Sequence, residues 1–332
     1  MAPLYLVPYP SYTNRMKKFQ IVFVCLLLTQ LVQAQQFSQL LPIYKDYSSW
    51  NPASISPSGL FNGSINYFQD YRGLSDSPKM LHVALHYPFK FQKAAIGGHI
   101  FRHTSGGYKQ TQLGVSYRYK LNFSNDMEIS GGLGIGLFHT RFSSDRFIAF
   151  DQGDNLIAVD GNSAFSVNGN AGLVLRKTFT SGFASESNSQ RLVVGFSVKQ
   201  LRAVEESVLG LHTDFARKNH FYTIISYTYP ILTDIRTRLL YTNSIAAGAG
   251  MNHTLLGNVA FYNAFEVDLG FNTAGKIILA SGFALPEVIE DDNIRLKLGL
   301  IYDTKSYIDT NPLGISFSII YTYDYDNTSY EL

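Results

Sequence analysis

The chain has 332 residues, of which 16% are charged and 14% are aromatic, and its formal net charge at pH 7 is +2. Few charges and many aromatic residues exclude an intrinsically disordered chain, and a single cysteine excludes a disulfide scaffold. The nearly neutral charge gives no reason to expect a nucleic-acid partner. The mean hydropathy of −0.01 is too low for a bundle of membrane helices, whereas strands that are apolar on one side only would give such a value.

Residues 1–34 predict a secretory signal peptide. The basic start Met16-Lys17-Lys18 precedes the unbroken apolar run Ile21 to Leu28, and cleavage is expected after Ala34. This run is far shorter than the ~20 residues of a membrane-spanning helix, and a buried strand or core helix is the alternative interpretation. Met16 is then the true start, and Cys25 is lost with the signal, so the mature chain has no cysteine.

The segment 35–60 is predicted to be irregular. It contains Trp50, the only tryptophan of the chain, and it is interrupted by Pro42, Pro52 and Pro57. If the strands that follow close into a barrel, we expect this segment or side chains of the wall to fill part of the lumen, because a barrel of intermediate size is too wide for a tightly packed interior.

Residues 61–326 predict strands, because apolar and polar residues alternate with a period of two. Between positions 294 and 303, for example, the apolar set is Ile294, Leu296, Leu298, Leu300 and Tyr302. Only an extended strand collects such residues on one face. About fourteen such runs are centred near residues 66, 84, 98, 115, 134, 170, 196, 225, 239, 256, 268, 280, 298 and 319. We predict a single all-β domain, with one short loop helix over Arg202 to Leu211.

Two observations favour an antiparallel transmembrane β-barrel over a soluble β-sandwich. An even number of strands lets the last strand pair with the first, which removes the unpaired edges that lipid cannot hydrate. Aromatic residues also close alternate strands, where they would form one girdle at the lipid–water boundary. They are Tyr87, Phe89, Tyr117, Tyr119, Tyr227, Tyr229, Tyr321 and Tyr323.

The lengths of the connections predict the orientation of the barrel. With a periplasmic N-terminus, the long stretches Ser143 to Ser163 and Arg202 to Asn219 follow odd-numbered strands and face outside. The stretch Thr178 to Gln190 is long for a periplasmic turn, and the outer turn near Ala274 is very short. The expected location is the outer membrane.

Short motifs resemble the PorP/SprF family over most of the mature chain. They are Phe37-Ser38-Gln39, Asn51-Pro52-Ala53, Tyr71-Arg72-Gly73, Ser77-Pro78-Lys79, Gly97-Gly98, Val194 to Leu201, and Phe221-Tyr222 to Tyr229. The chain departs from the family pattern at Asp70-Tyr71, where the family usually has Gln-Trp. It departs again at Ser54-Ile55-Ser56, where a glycine is usual.

The resemblance implies an outer-membrane component of the type IX secretion system, which exports cell-surface adhesins and supports gliding motility. It implies a non-enzymatic role in the export or surface attachment of large adhesins or gliding-type proteins. The partners would be outer-membrane lipid, other secretion components and a secreted surface protein. Three alternatives stay open: a diffusion porin or small-solute transporter, a membrane-embedded lipid hydrolase, and a soluble carbohydrate-binding sandwich.

No catalytic, cofactor-binding or metal-binding residues are predicted. His82 and His86 share one strand face but lie ~13 Å apart along it, which favours lumen-facing polar residues over a zinc site. Asp151, Asp154 and Asp160 miss the spacing of an EF-hand loop, so a solvated loop is favoured. The chain has no G-x-S-x-G motif on which to base an esterase.

Two further patterns concern the wall of the barrel. Gly132, Gly134 and Gly136 alternate without a following helix, so a thin wall or the close approach of a plug explains them better than a phosphate-binding loop. Charged residues that alternate with lipid-type residues are expected to pair across strands or, alternatively, to form a docking surface for a partner segment or plug. They are Arg118, Lys120, Arg236, Arg238, Glu266, Asp268, Arg295 and Lys297.

Overall fold

The structure is a computed structural model that describes residues 47–56, 60–74, 76–89, 93–124, 126–143, 161–162, 165–179, 189–201, 204–206, 215–217, 219–232, 235–246, 251–262, 264–286, 292–304 and 312–323. The predicted signal peptide, its cleavage point, the start at Met16 and the aspartates Asp151, Asp154 and Asp160 lie outside these residues. Within them, fourteen antiparallel strands form one closed barrel. None of the described residues forms a helix long and apolar enough to cross a membrane.

The barrel strands are numbered in chain order. They are β1 (Phe61–Gln69), β2 (Lys79–Pro88), β3 (Ala94–Ser105), β4 (Tyr108–Ser124), β5 (Met127–Phe142), β6 (Ser166–Phe179), β7 (Gln190–Lys199), β8 (His220–Leu232), β9 (Ile235–Ala246), β10 (Met251–Phe261), β11 (Phe265–Asn272), β12 (Lys276–Pro286), β13 (Asp292–Asp303) and β14 (Leu313–Tyr323). Each of the fourteen predicted centres falls within one of these strands, so the predicted all-β architecture is confirmed.

Closure of the barrel is direct. Each strand pairs antiparallel with its neighbour in the chain, and β14 pairs with β1, with Gly63 opposite Tyr321 and Ile65 opposite Ile319. A closed ring leaves no strand edge, which lipid requires because it offers no hydrogen bonds to unpaired backbone groups.

Side chains alternate between an apolar outer wall and a mostly polar interior. In β4, Val115 is 57% exposed on the outer wall, whereas the next residue, Ser116, is 5% exposed and faces the interior. In β5, Ile135 and Leu133 are likewise exposed on the outer wall. The same alternation recurs in the other strands, so the outer wall presents a continuous belt of aliphatic side chains, which suits hydrocarbon as the surrounding solvent.

The predicted aromatic girdle is confirmed at one rim. Its members lie in or directly after the periplasmic halves of β2, β4, β8 and β14, and the exposed fractions of Tyr87, Tyr117 and Tyr229 are 45 to 48%. We call this the periplasmic end and the opposite rim the outer end, because the longest connections, 143–165 and 200–219, join strands at the opposite rim, although that rim also has the short connection 106–107. The connection 180–189 remains the long exception.

One sequence prediction is wrong. The predicted helix over Arg202 to Leu211 is contradicted at Val204–Glu206, the part of it that the structure describes, because these residues are extended and pair antiparallel with Phe215–Arg217. A helix of this length is marginal on its own in water. A two-stranded ribbon instead satisfies backbone groups of two chain segments at once, and it extends the connection between β7 and β8 at the outer end.

Candidate functional site: the lumen and its N-terminal segment

Residues 47–56, here called the N-terminal segment, lie inside the barrel. Eight of these ten residues are buried. Pro52–Ser54 forms a single 3₁₀ turn, and Asn51 caps this turn by accepting a hydrogen bond from the Ala53 amide at 2.9 Å. Proline suits the first position of such a turn because its φ angle is already fixed near the helical value. The described part of the predicted irregular segment therefore occupies the lumen.

Asn51 ties this segment to the barrel wall. Its Nδ2 atom donates to the carbonyl oxygen of Leu173 in β6 at 3.1 Å and to that of Phe196 in β7 at 3.2 Å. Leu173 and Phe196 lie directly opposite each other across the two strands. The side-chain oxygen of Asn51 thus accepts a hydrogen bond within the 3₁₀ turn, while its side-chain nitrogen bridges two strands. Both polar atoms of the asparagine amide are used.

Two glycines of the wall form a slot for this segment. A Cβ atom on Gly132 would collide with the backbone of Pro52 and Ala53, and one on Gly172 would collide with the side chain of Asn51. Gly132 in β5 and Gly172 in β6 lie opposite each other in the sheet. Glycine is therefore required at both positions because another chain approaches the wall closely there.

The three alternating glycines of β5 have different neighbours. Only Gly132 contacts the N-terminal segment. A Cβ atom at Gly134 would lie 2.6 Å from the Ser116 hydroxyl, and one at Gly136 would lie 3.2 Å from the Phe138 ring. The predicted approach of a plug is therefore correct for one glycine, whereas the other two make room for side chains of the wall.

Further contacts fix both ends of the N-terminal segment. The Ser197 hydroxyl donates to the carbonyl oxygen of Trp50 at 2.7 Å, and the Trp50 ring stacks on Tyr222 with 5.9 Å between ring centroids. At the other end, Arg118 of β4 donates to the carbonyl oxygen of Ser56 at 2.7 Å. The sequence predicted that Arg118 either pairs across strands or contacts a plug. The structure shows that it binds the backbone of the N-terminal segment.

Apolar side chains line part of the lumen toward the outer end. They pack with Trp50 in one buried cluster, although a membrane barrel usually has a polar interior. The members from the wall are Phe68, Met80, Ile224, Leu240, Leu256, Ile278, Ala280 and Ile301. This cluster gives the N-terminal segment an apolar anchor in addition to its hydrogen bonds.

Cross-strand ion pairs account for half of the lumenal charges predicted from the sequence. Lys297 of β13 contacts both Glu266 and Asp268 of β11, with N···O distances of 3.1 and 2.5 Å. These carboxylates reach across β12 at Gly282, where a Cβ atom would lie 3.0 Å from the Glu266 side chain. Lys120 pairs with Glu128 at 3.5 Å.

The remaining lumenal arginines have no acidic partner among the residues that the structure describes. Within the described ranges, Arg236 and Arg238 lie near the periplasmic end of β9 without an ion pair, and Arg295 donates to the side-chain oxygen of Asn293 at 3.3 Å. The Nε and Nη2 atoms of Arg238 are buried without a hydrogen-bond partner in the described part of the chain. The sequence offered two interpretations of these eight lumenal charges. Cross-strand pairing applies to one part of them, and contact with a partner segment or plug remains for the other part.

The lumenal histidines do not form a metal site within the described residues. His82 and His86 are buried on the inner face of β2, as predicted, and His99 of β3 lies between them with its ring centroid 6.0 Å from that of His82. No group of three or more histidine, cysteine or acidic side chains in the described ranges can hold a metal ion. Amides of Asn66 and Gln112 contact His82 and His99 instead.

At the outer end, the connection after β1 is fastened to the rim. Asp70 pairs with Lys276, and the Tyr71 hydroxyl donates to Asp303 at 2.6 Å. Burial raises the pKa of the Asp70 carboxyl, an effect that Lys276 opposes. Burial also raises the pKa of Tyr71, and its hydrogen bond to Asp303 adds to the effect. The Tyr71 hydroxyl is therefore a neutral hydrogen-bond donor. Nothing in the sequence indicated its contact with Asp303, which lies 232 positions away.

Replacing Tyr71 with phenylalanine is expected to lower the free energy of unfolding by ~1–2 kcal/mol, because a hydrogen bond to a charged acceptor is lost. Equilibrium unfolding in urea measures this change. The control is Tyr262→Phe, since Tyr262 is exposed at the opposite rim. Equal stability of Tyr71→Phe and the wild type would contradict the fastening of this connection.

The fold and the lumen together define a class of protein. A closed fourteen-stranded barrel with an aliphatic outer wall, an aromatic girdle and an internal N-terminal segment is an outer-membrane β-barrel. The family described as "Type IX secretion system membrane protein PorP/SprF" matches residues 30–327. The chain belongs to this family. Comparison with curated proteins finds no match.

Solved structures with a similar fold are outer-membrane barrels. The Pseudomonas putida toluene transporter TodX is 9% identical to this chain, with a TM-score of 0.52. The match covers 89% of this chain and 96% of TodX. The Ralstonia pickettii toluene transporter TbuX is 9% identical, with a TM-score of 0.50 and coverages of 83% and 92%. The CymD monoaromatic hydrocarbon channel is 9% identical, with a TM-score of 0.50 and coverages of 87% and 95%. At this identity the likeness concerns the fold alone.

Proposed function

We propose that this barrel is a non-enzymatic component of type IX secretion that assists the export or surface attachment of large adhesins or gliding-type proteins. The observation that carries the proposal is the family match over residues 30–327. Its partners are then outer-membrane lipid, other components of the secretion system and one secreted surface protein.

The contents of the lumen support attachment rather than passage of cargo through this barrel. The N-terminal segment is held by the Asn51 amide, by the slot at Gly132 and Gly172, and by Arg118. A polypeptide in transit would have to displace all of these contacts together. We therefore expect cargo and partner proteins to bind at the rims and the outer connections.

Deletion of the gene, followed by a census of surface and secreted proteins, tests this proposal. The expected result is loss of one large surface protein while small-solute uptake stays intact, with recovery when the wild-type gene is restored. A defect in solute uptake with an unchanged set of surface proteins would contradict it.

A small-solute channel is the second candidate, and the apolar side chains of the lumen favour it. Phe68, Leu240 and Leu256 face the interior but are at most 1% exposed in their cluster with Trp50, so an apolar solute would have to open this cluster to contact them. This candidate requires a steady single-channel current and an uptake defect on deletion. The secretion proposal requires neither, so the same deletion strain distinguishes the two.

A further inference from the structure

The outer wall carries a basic patch at the outer end of four adjacent strands. The alternation of side chains along the strands places four basic residues on the outer wall rather than in the lumen. They are Lys79 of β2, Arg102 of β3, Lys109 of β4 and Arg141 of β5. Arg102 and Arg141 are exposed, and the two lysines are half-buried. We call these four residues the upper basic patch.

The strand register places the patch in two continuous rows. Across β2 to β5, Lys79 lies opposite Thr104, Thr104 opposite Lys109, and Lys109 opposite Arg141. One row nearer the membrane centre lie Arg102 and its neighbours Thr111 and His139. Adjacent strands are ~4.8 Å apart, so the cations span only ~15 Å.

The patch begins where the apolar belt ends. The next outward-facing residues toward the membrane centre are aliphatic and 39 to 47% exposed. They are Leu81, Ile100, Leu113 and Leu137. A lipid whose acyl chains lie against these residues would therefore place its headgroup at the level of the patch.

Few negative charges compete for these cations. None of the four forms an ion pair among the described residues, and the outward-facing positions of β2 to β5 hold no aspartate or glutamate. Asp76, in the connection before β2, is the described carboxylate nearest to Lys79 in the chain. The patch thus keeps a clear excess of positive charge.

The charge is confined to one side of the barrel. On the other ten strands, the last outward-facing described position at the outer end is uncharged in every case. These positions are Gln69, Val167, Val198, Phe221, Ile245, Met251, Phe271, Ile277, Tyr302 and Leu313. A uniform interaction with all surrounding lipid would not need such an asymmetry, so the patch fits one bound molecule.

We propose that the upper basic patch binds the phosphate groups of a phosphorylated glycolipid of the outer leaflet, of the lipid A type. Guanidinium groups of Arg102 and Arg141 match phosphate oxygens in two-pronged geometry, and the lysines add point charges. The hydroxyls of Thr104 and Thr111 lie in the same rows and can bond sugar or phosphate oxygens. This inference concerns the lipid contact and is independent of the proposed role in secretion.

Binding of diphosphoryl lipid A to the full-length protein in neutral detergent tests the proposal. Each cation near an anionic surface contributes roughly fivefold in affinity, so the variant Arg102→Gln/Lys109→Gln/Arg141→Gln is expected to bind about a hundredfold more weakly. Wild-type affinity is also expected to fall as salt rises. The matched control is Lys93→Gln/Lys177→Gln/Arg191→Gln, which removes three exposed cations at the periplasmic end.

Several results would overturn the proposal. They are unchanged affinity of the triple variant, an equal loss in the control triple, or equal binding of dephosphorylated lipid A by the wild type. Heat-modifiable migration on gels shows whether each variant is folded. If the triple variant does not fold, Arg102→Gln is expected to bind roughly fivefold more weakly. Arg102→Lys keeps the charge but loses the two-pronged geometry, so its affinity is expected to lie between those of Arg102→Gln and the wild type. Wild-type affinity of Arg102→Gln would count against the proposal.

Discussion

Replacing Gly132 and Gly172 together with alanine is expected to expel the N-terminal segment from its slot. Each new methyl group would overlap backbone or amide atoms of the segment, and overpacking of this kind costs ~1–3 kcal/mol per site. The barrel can stay closed, because the strands keep their pairing while the segment moves. The variant should therefore remain folded but hold the segment loosely.

A single cysteine at Ser49 reports this release. Ser49 is buried, and its hydroxyl has no hydrogen-bond partner among the described residues, so Ser49→Cys is a mild change. We expect a membrane-impermeant thiol reagent to label this cysteine at least about tenfold faster in the double-alanine variant, since each 1.4 kcal/mol is worth a factor of ten.

The matched control for this experiment is Gly131→Ala. Gly131 is the neighbour of Gly132 on the outer wall, where a Cβ atom would make ordinary contact with Leu173 at 3.8 Å. Labelling should stay slow in this background. Equal labelling of the double-alanine variant and the control would show that the two inner glycines do not hold the segment.

Replacing Lys297 with methionine is expected to lower the free energy of unfolding by ~3–5 kcal/mol, because it leaves Glu266 and Asp268 buried without their cation. All three side chains are less than 10% exposed, so water screens the two carboxylates poorly. The urea concentration at which the heat-modifiable gel band is lost measures the change.

The triple variant Lys297→Met/Glu266→Gln/Asp268→Asn is the control for charge. It should recover most of the lost stability, because the uncompensated carboxylates are removed together with the lysine. Arg295→Gln, on the same face two residues earlier, should have a small effect since Arg295 pairs with no acid among the described residues. A triple variant as unstable as Lys297→Met would mean that packing rather than charge matters here.

The strands were predictable because their signal is local. In β13, Leu296, Leu298 and Leu300 alternate with Lys297 and Gly299 within a few residues, and the structure places the two sets on opposite faces. The same holds for the girdle tyrosines, since alternate strand ends share a rim. The loop helix was wrong because pairing of Val204–Glu206 with Phe215–Arg217 is not visible in the periodicity of either segment.

The candidate site was predictable only in outline. Prolines and Trp50 indicated an irregular segment near a wide lumen, but the contact of Asn51 with Leu173 joins residues 122 positions apart. Such contacts depend on the three-dimensional path of the chain. Alternating glycines in β5 hinted at a close approach, although Gly172, the partner of Gly132, lies in a strand with no comparable run.

The N-terminal segment inside the lumen has a consequence for how this barrel can act. The barrel can act as a rigid body in the membrane, with its rims available to proteins and its outer wall available to lipid. Interior contacts such as the stacking of Trp50 on Tyr222 then serve to keep the N-terminal segment in the lumen. Secretion and surface attachment would be served by contacts around the barrel.

Single-channel recording in planar bilayers tests this picture most directly. We predict that the purified wild-type protein is electrically silent and that a variant lacking residues 47–56 shows stepwise current, with both proteins folded as judged by heat-modifiable migration. A steady current through the wild type that is unchanged by the deletion would contradict the closed barrel and favour a diffusion channel.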